Sequence, residues 1–387
     1  MKRIGNLYDE IASPDNVRAA ILKASKGKRD RPQVRAVLDD LENKVLELSH
    51  ALRTETVELH QYTADQRVEG SRNKKRIIHK PRFWPDQCVH WAIYNVMGAH
   101  LYRGFYSVTC GSVPGRGVHY GKKFVEKWIR TDRKNTRYYL KMDVHHFYPS
   151  IPNDKLKVAL RRKFKDKRML ALLDRIIDLD NGLPIGMLLS QCLANFYLAP
   201  LDFYIKQQLG ATYYIRYMDD MVVFGPNKKK LHKMRVQIEE WMTANGLEMK
   251  GNWQICKEDK EPLDFMGFRF WRDRTTLRRS IMLRITRRVR RVDKKGRWAT
   301  PQDAAAILSY MGWIYASDTH KMFLTWIKPH LHIQRMKNIV RRAQREALQK
   351  RKHRKTAGMG HYHFFGSGVP QLQHCGGSGN RWKPAHV

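Results

Sequence analysis

Acidic residues are scarce in this chain: 36 Asp and Glu stand against 74 Lys and Arg in 387 residues, a formal net charge of +38. Solubility does not need so large an excess, so a polyanionic partner is the simplest explanation, with nucleic acid first and a membrane surface as its rival. Long apolar runs are missing too. None can span a bilayer, and the start, Met1-Lys2-Arg3-Ile4-Gly5-Asn6, lacks an apolar signal segment, so the expectation is a cytoplasmic protein with no membrane partner. Cysteine is sparse, and Cys88, Cys110, Cys192, Cys256 and Cys375 stand singly without CxxC spacing. That argues against a zinc knuckle and a disulfide framework and for a reducing compartment. What remains, 42% hydrophobic residues, suffices for a real core in one large or two to three smaller domains.

The few acids matter most where two adjoin. Tyr217-Met218-Asp219-Asp220 lies between the strand-like runs Tyr213-Tyr214-Ile215 and Met221-Val222-Val223-Phe224. Burying neighbouring carboxylates without a cation is costly, and a hairpin tip that places them on Mg²⁺ removes the cost. Upstream, Tyr139 to Val144 reads as a second strand ending in the lone carboxylate of Asp143, followed by Phe147, Tyr148 and Pro149. Three carboxylates from two strands make a hard-oxygen site suited to Mg²⁺. The matching chemistry is in-line attack of a hydroxyl on phosphorus, one metal activating the nucleophile and the other stabilising the leaving oxygen, which is nucleotidyl transfer. The tetrapeptide alone would read as a surface turn with Asp143 as an N-cap.

YMDD, with an upstream Asp ending a strand and an aromatic five residues later, resembles the palm of reverse transcriptases. The resemblance implies an α+β right-hand polymerase: a helical N-terminal extension (1–60), fingers and palm as a sheet with helices on one side (61–270), a basic helical thumb (271–350) and a flexible Gly/His-rich tail (351–387). It implies Asp143, Asp219 and Asp220 around two Mg²⁺ ions, replaceable by Mn²⁺, with the Val144 carbonyl as a further ligand. Tyr217 and Met218 would flank the nucleotide, and Tyr148 would lie under the sugar and exclude a 2′-hydroxyl.

Further motifs extend the likeness. Arg76 to Pro81 resembles the first fingers motif, making Arg76 and Lys80 candidate triphosphate or template contacts, whereas Lys74 and Lys75 read as a solvated face. The Gly/Pro-rich loop SVTCGSVPGRG (107–117) resembles the next, with Arg116 as its contact. The segment from Gly182 to Gln191 feeds a palm helix and would place Ile185, Gly186 and Gln191 against the incoming nucleotide and template base. Most prokaryotic reverse transcriptases have Gln before the second glycine and Pro after the serine. Here IGxxxSQ resembles the enzymes of diversity-generating retroelements, which copy a template-repeat RNA with frequent errors opposite adenine and so diversify a target gene. Lys250 holds the place of the family's lysine near the pyrophosphate and is a candidate proton donor to it. Phe265-Met266-Gly267-Phe268 resembles the primer grip and also reads as a core hairpin.

The N-terminal residues 15 to 58 read as helices, and Asp86 to Tyr102 as an amphipathic helix capped at Asp86. After the grip, Arg284, Arg287, Arg288, Arg290, Arg291, Lys294, Lys295 and Arg297 are too dense for a solvated face and fit phosphate contact. Residues 304–328 have the apolar spacing of a helical thumb, with His320 a turn residue. From Lys352 periodicity ends, and the irregular spacing of His361, His363, His374 and Cys375 argues against a metal site. The expected partners are a template or noncoding RNA, the RNA–cDNA hybrid, dNTPs and a small basic accessory protein. Three alternatives stay open: an anti-phage reverse transcriptase copying its own noncoding RNA, a group II intron protein (disfavoured, with no cysteine-paired module after the thumb), and a non-catalytic RNA-binding scaffold.

Overall fold

The computed structural model describes residues 2–69 and 74–359. The described residues divide into two compact units, one made of residues 2–69, 74–288 and Tyr310–Pro329, the other of Val289–Ser309 and residues 330–359. The first unit opens with α1 (Tyr8–Ile11), α2 (Pro14–Ala24), α3 (Pro32–Asp39) and α4 (Leu41–Arg53). Ser13 caps α2 by accepting from the Asn16 N–H, and Pro14 occupies its first turn, where no N–H is needed. Val17, Ala20, Ile21 and Ala24 line one buried stripe. The helical extension therefore stops at Arg53, short of the expected Glu58.

A hairpin follows, β1 (Thr63–Glu69) antiparallel to β2 (Lys74–Lys80). The next helix, α5 (Cys88–Tyr102), begins after a π turn at Phe83–Gln87 rather than at an Asp86 cap. Asp86 is fully buried and accepts the His60 N–H at 3.1 Å, so it ties two chain segments together. Nor is α5 amphipathic: Val89, His90, Ala92, Ile93, Val96 and Met97 are all buried, because other elements cover most of its circumference.

The chain continues through β3 (Thr109–Cys110), α6 (Val118–Thr131), β4 (Tyr138–Met142), α7 (Phe147–Ser150), α8 (Asn153–Lys163), α9 (Lys167–Ile177) and α10 (Leu188–Phe203). Then come β5 (Tyr213–Tyr217), β6 (Asp220–Gly225), α11 (Lys228–Ala244) and β7 (Gln254–Lys257). The central sheet has the order β3-β5-β6-β4-β7, antiparallel except for the β3–β5 pair. Helices cover both faces, not one as expected. Alternation along β5 sends Tyr213 to stack on Trp128 of α6 (5.1 Å), while Tyr214 and Arg216 point the other way and bond Asp202 of α10. Two-sided cover explains why Met221 to Phe224 form an unbroken apolar run.

A second sheet joins β8 (Leu263–Phe265), β9 (Phe268–Phe270) and β10 (Thr275–Leu277). Asp318 closes its edge, accepting the Thr275 N–H and donating its own N–H to the Thr275 carbonyl, each at 2.7 Å. In α12 (Arg279–Lys295), Ile285, Val289 and Val292 are buried at helical spacing, and Arg284, Arg287, Arg290, Arg291, Lys294 and Lys295 are exposed. Arg288 is half-buried. Next are α13 (Pro301–Tyr315), α14 (His320–Trp326) and α15 (Ile333–Met359). Helix α15 carries past the tail boundary expected at residue 351, since Arg351 to Ala357 contains good helix formers and no Gly or Pro. Residues 360–387, with His361, His363, His374 and Cys375, lie outside the described residues. Among the described residues no helix is long and apolar enough to cross a membrane.

Candidate active site

β5 and β6 form a tight hairpin in which Tyr217 pairs with Asp220, leaving Met218 and Asp219 at the tip. A two-residue turn matching sheet twist needs positive φ at its first central position, and Met218 supplies it at +57°. For a side chain of this size that conformation costs about 1–3 kcal/mol and persists only where its surroundings enforce it. Here the Met218 N–H donates to the Cys110 carbonyl at 3.1 Å, and Arg216 Nη1 donates to the Met218 carbonyl at 2.9 Å. Gly111 (φ +81°) lies underneath; a Cβ there would meet Met218 Cγ at 2.9 Å. The glycine in the 107–117 loop thus serves close packing against the hairpin tip.

Asp143 stands just beyond β4, which pairs with β6, so the three carboxylates share one end of the sheet. Burial, then the charges of Asp143 and Asp220, push the Asp219 carboxyl up to about 7. Burial and Asp143 also raise Asp220, against the cationic pull of Lys141, Arg278 and Lys250. Lys250 Nζ donates to Asp143 Oδ2 at 3.1 Å, while Asp143 Oδ1 is buried with no hydrogen-bond partner. As the side chains stand, no three His, Cys, Asp or Glu residues among those described converge on a ready-made metal position. The chemistry still fits a cation: three carboxylates disfavour one another's charge, one has an orphaned oxygen, and a lysine ammonium supplies the countercharge. The 248–250 segment runs beside 143–145 through Lys250 N–H to the Asp143 carbonyl (2.9 Å) and His145 N–H to the Glu248 carbonyl (2.8 Å). That ladder bypasses the Val144 carbonyl.

The other expected residues fall into two groups. Leu183 N–H donates to the Tyr148 carbonyl at 2.9 Å and His79 N–H to the Ile185 carbonyl at 3.0 Å, so the loop bearing Ile185 and Gly186 is held between the β2 strand and the turn bearing Tyr148. Gly182 (φ +78°) permits this, since a Cβ would lie 2.3 Å from the Pro149 carbonyl oxygen. Lys80 pairs with Asp65 across its hairpin, and the Arg76 side chain lies outside the described part of that strand. Arg116 turns inward, its Nη1 donating to the Tyr106 carbonyl at 2.7 Å. Gln191 accepts from Ser112 Oγ at 2.8 Å. In the grip-like hairpin Phe265 is only 1% exposed, and a Cβ on Gly267 would strike Ile281 and Trp313 at 2.7 and 2.9 Å. That hairpin is core, with its backbone braced by Lys141 and Arg278, which bond the carbonyl and carboxylate of Asp264.

Sequence reasoning missed Lys141, Arg278, Asn195, Asp202 and Arg216. The readable signal was polar residues where apolar ones belong: an Arg inside a buried strand, and an Asn and an Asp inside an apolar helix.

The family described as Reverse transcriptase (RNA-dependent DNA polymerase) matches residues 74–270. The chain is 31% identical over 176 residues to the Retron Ec73 reverse transcriptase of Escherichia coli, covering 41% of this chain and 55% of that protein. It is 25% identical over 223 residues to the Retron Ec86 reverse transcriptase of Escherichia coli, covering 53% and 64%. The matched segments thus span between about half and two thirds of these curated relatives. Among solved structures, a telomerase from Candida albicans in complex with a TWJ fragment of telomeric RNA aligns at a TM-score of 0.41 and 10% identity, covering 78% of this chain and 64% of that one. A domain of the matched family implies dependence on a divalent metal in general. The match begins at the β2 strand, takes in all three carboxylates and ends with β9, just over half of the 387 residues, and on that ground the chain belongs to the reverse transcriptase family, with a right-hand polymerase fold.

Proposed function

We propose that this protein is an RNA-directed DNA polymerase that copies a structured RNA into cDNA. The observation that carries the reading is the gathering of Asp143, Asp219 and Asp220 at one end of the sheet, with the Asp219 carboxyl raised to about 7. Two Mg²⁺ ions held there, with the Val144 carbonyl, would activate the primer 3′-hydroxyl and stabilise the leaving oxygen, and Mn²⁺ would replace them. Asp143 and Asp219 orient the reacting groups. Tyr148 faces the sugar, and Lys250 moves from Asp143 to the leaving pyrophosphate as a proton donor. Arg76, Lys80 and Arg116 hold triphosphate and template, and the exposed cations of α12 track the RNA–cDNA hybrid.

Two readings of the RNA follow from different observations. IGxxxSQ at 185–191 supports a diversity-generating enzyme, error-prone at adenines and aided by a small basic accessory protein. The likeness to retron reverse transcriptases supports copying of the protein's own noncoding RNA in anti-phage defence. The test is to sequence the cDNA made with Mg²⁺ on co-purified RNA, with Asp219→Asn as control. Asp219→Asn is expected to fold and make no cDNA, and robust extension by it sinks the assignment. Substitutions concentrated opposite adenine select diversification, faithful or repetitive cDNA selects defence, and no cDNA from the wild type leaves an RNA-binding scaffold.

A further inference from the structure

Behind the hairpin tip lies a closed polar network. Arg216, Asp202, Asn195 and Thr109 are each 0% exposed. All five N–H groups of the Arg216 guanidinium have acceptors: Nε and Nη2 bond Asp202 Oδ1 and Oδ2 at 2.7 and 2.6 Å, Nη1 reaches Asn195 Oδ1 (2.8 Å) and the Met218 carbonyl (2.9 Å), and Nη2 also approaches the Asn195 carbonyl (3.5 Å). Asp202 takes two further bonds, from the Tyr214 hydroxyl at 2.6 Å and Thr109 Oγ1 at 2.8 Å. Asn195 Nδ2 donates to the Gly111 carbonyl at 2.9 Å and approaches Met218 Sδ at 3.4 Å.

A buried ion pair is weak evidence of stabilisation, because well-packed apolar residues of similar volume often do as well. What the apolar substitute cannot do is grip a particular carbonyl. We propose that Arg216, Asp202 and Asn195 are positioning residues that hold the left-handed Met218 turn, and so set the separation of Asp219 from Asp143 that a divalent cation must bridge. The planar guanidinium fork is essential. A lysine could keep the charge beside Asp202 but could not bond Asp202, Asn195 and Met218 at once.

This inference rests on the proposed catalytic role of the carboxylates, so its test includes a measurement that does not need polymerisation. Mn²⁺ binding by the full-length protein is followed by electron paramagnetic resonance, beside dNTP incorporation and RNA affinity, for the wild type, Arg216→Lys, Arg216→Met and the paired replacement Arg216→Met with Asp202→Leu. Arg216→Lys is expected to keep RNA affinity within twofold, to bind Mn²⁺ about tenfold more weakly, and to lose kcat far more than it raises KM for dNTP. The paired replacement should be more stable than Arg216→Met alone, which leaves the Asp202 charge unpaired, and should bind Mn²⁺ no better than it. Wild-type Mn²⁺ affinity in any variant, once folded, overturns the inference, as does a wild type that binds no Mn²⁺. A wild type that binds Mn²⁺ yet makes no DNA overturns the proposed function alone.

Discussion

Asp219 holds its proton to about pH 7 when folded, whereas an unfolded Asp releases it near pH 4. Between those values the folded state binds more protons, so this carboxyl's favourable contribution is complete at low pH and is lost as pH rises toward 7. Metal-free protein is therefore expected to melt a few degrees lower at pH 8 than at pH 5.5 relative to Asp219→Asn, the scale of ~2 kcal/mol in a domain this size. Mg²⁺ should close the gap at pH 8. Calorimetry of both proteins checks this, and equal pH dependence of the two refutes the shift. Tyr148 gives a second test at this scale: Tyr148→Ala should weaken discrimination against ribonucleotides by about tenfold or more in competition assays, and unchanged discrimination removes its role as a gate.

Among the elements, the 182–187 loop joins the Tyr148 turn and the β2 strand through backbone bonds from Leu183 to Tyr148 and from His79 to Ile185. Gly182→Ala puts a methyl group into the Pro149 carbonyl in a left-handed backbone, and is expected to destabilise the fold by about 1–3 kcal/mol and to raise KM for dNTPs. Gly115→Ala is the control: its φ of +74° is also left-handed, but a Cβ there meets nothing within 4 Å. Chemical denaturation and steady-state kinetics of the two variants separate clash from backbone strain. The loop's glycines and the strand that precedes Asp143 were readable as motifs. The two-sided cover of the central sheet was readable only as an apolar run whose meaning depends on what packs against it.

For the whole molecule, the formal charge of +38 means that the proposed RNA binding would be governed by counterion release. Affinity should fall steeply and linearly on a log–log plot against salt, and replacing exposed Arg287 and Arg291 with Gln should reduce the slope by about 1.5–2. Filter binding from low to moderate salt measures it, and a slope unchanged by the two substitutions removes that helix face from the RNA path.

The amino-acid order alone determined the hairpin tip, the third carboxylate, the family likeness and the basic stretch, because each depends on local spacing and charge. It could not determine that Asp86 serves His60 instead of a helix end, that Arg116 turns in to the Tyr106 carbonyl, or that Gln191 accepts from Ser112 of a distant loop. Those outcomes depend on which distant groups compete for the same donors and the same space. The Arg216 network is the clearest case: an Arg before Tyr217 and an Asp at 202 are separate oddities in sequence. Only tertiary packing brings them within 2.6–2.7 Å in a site closed to water, where an unpaired charge could not remain.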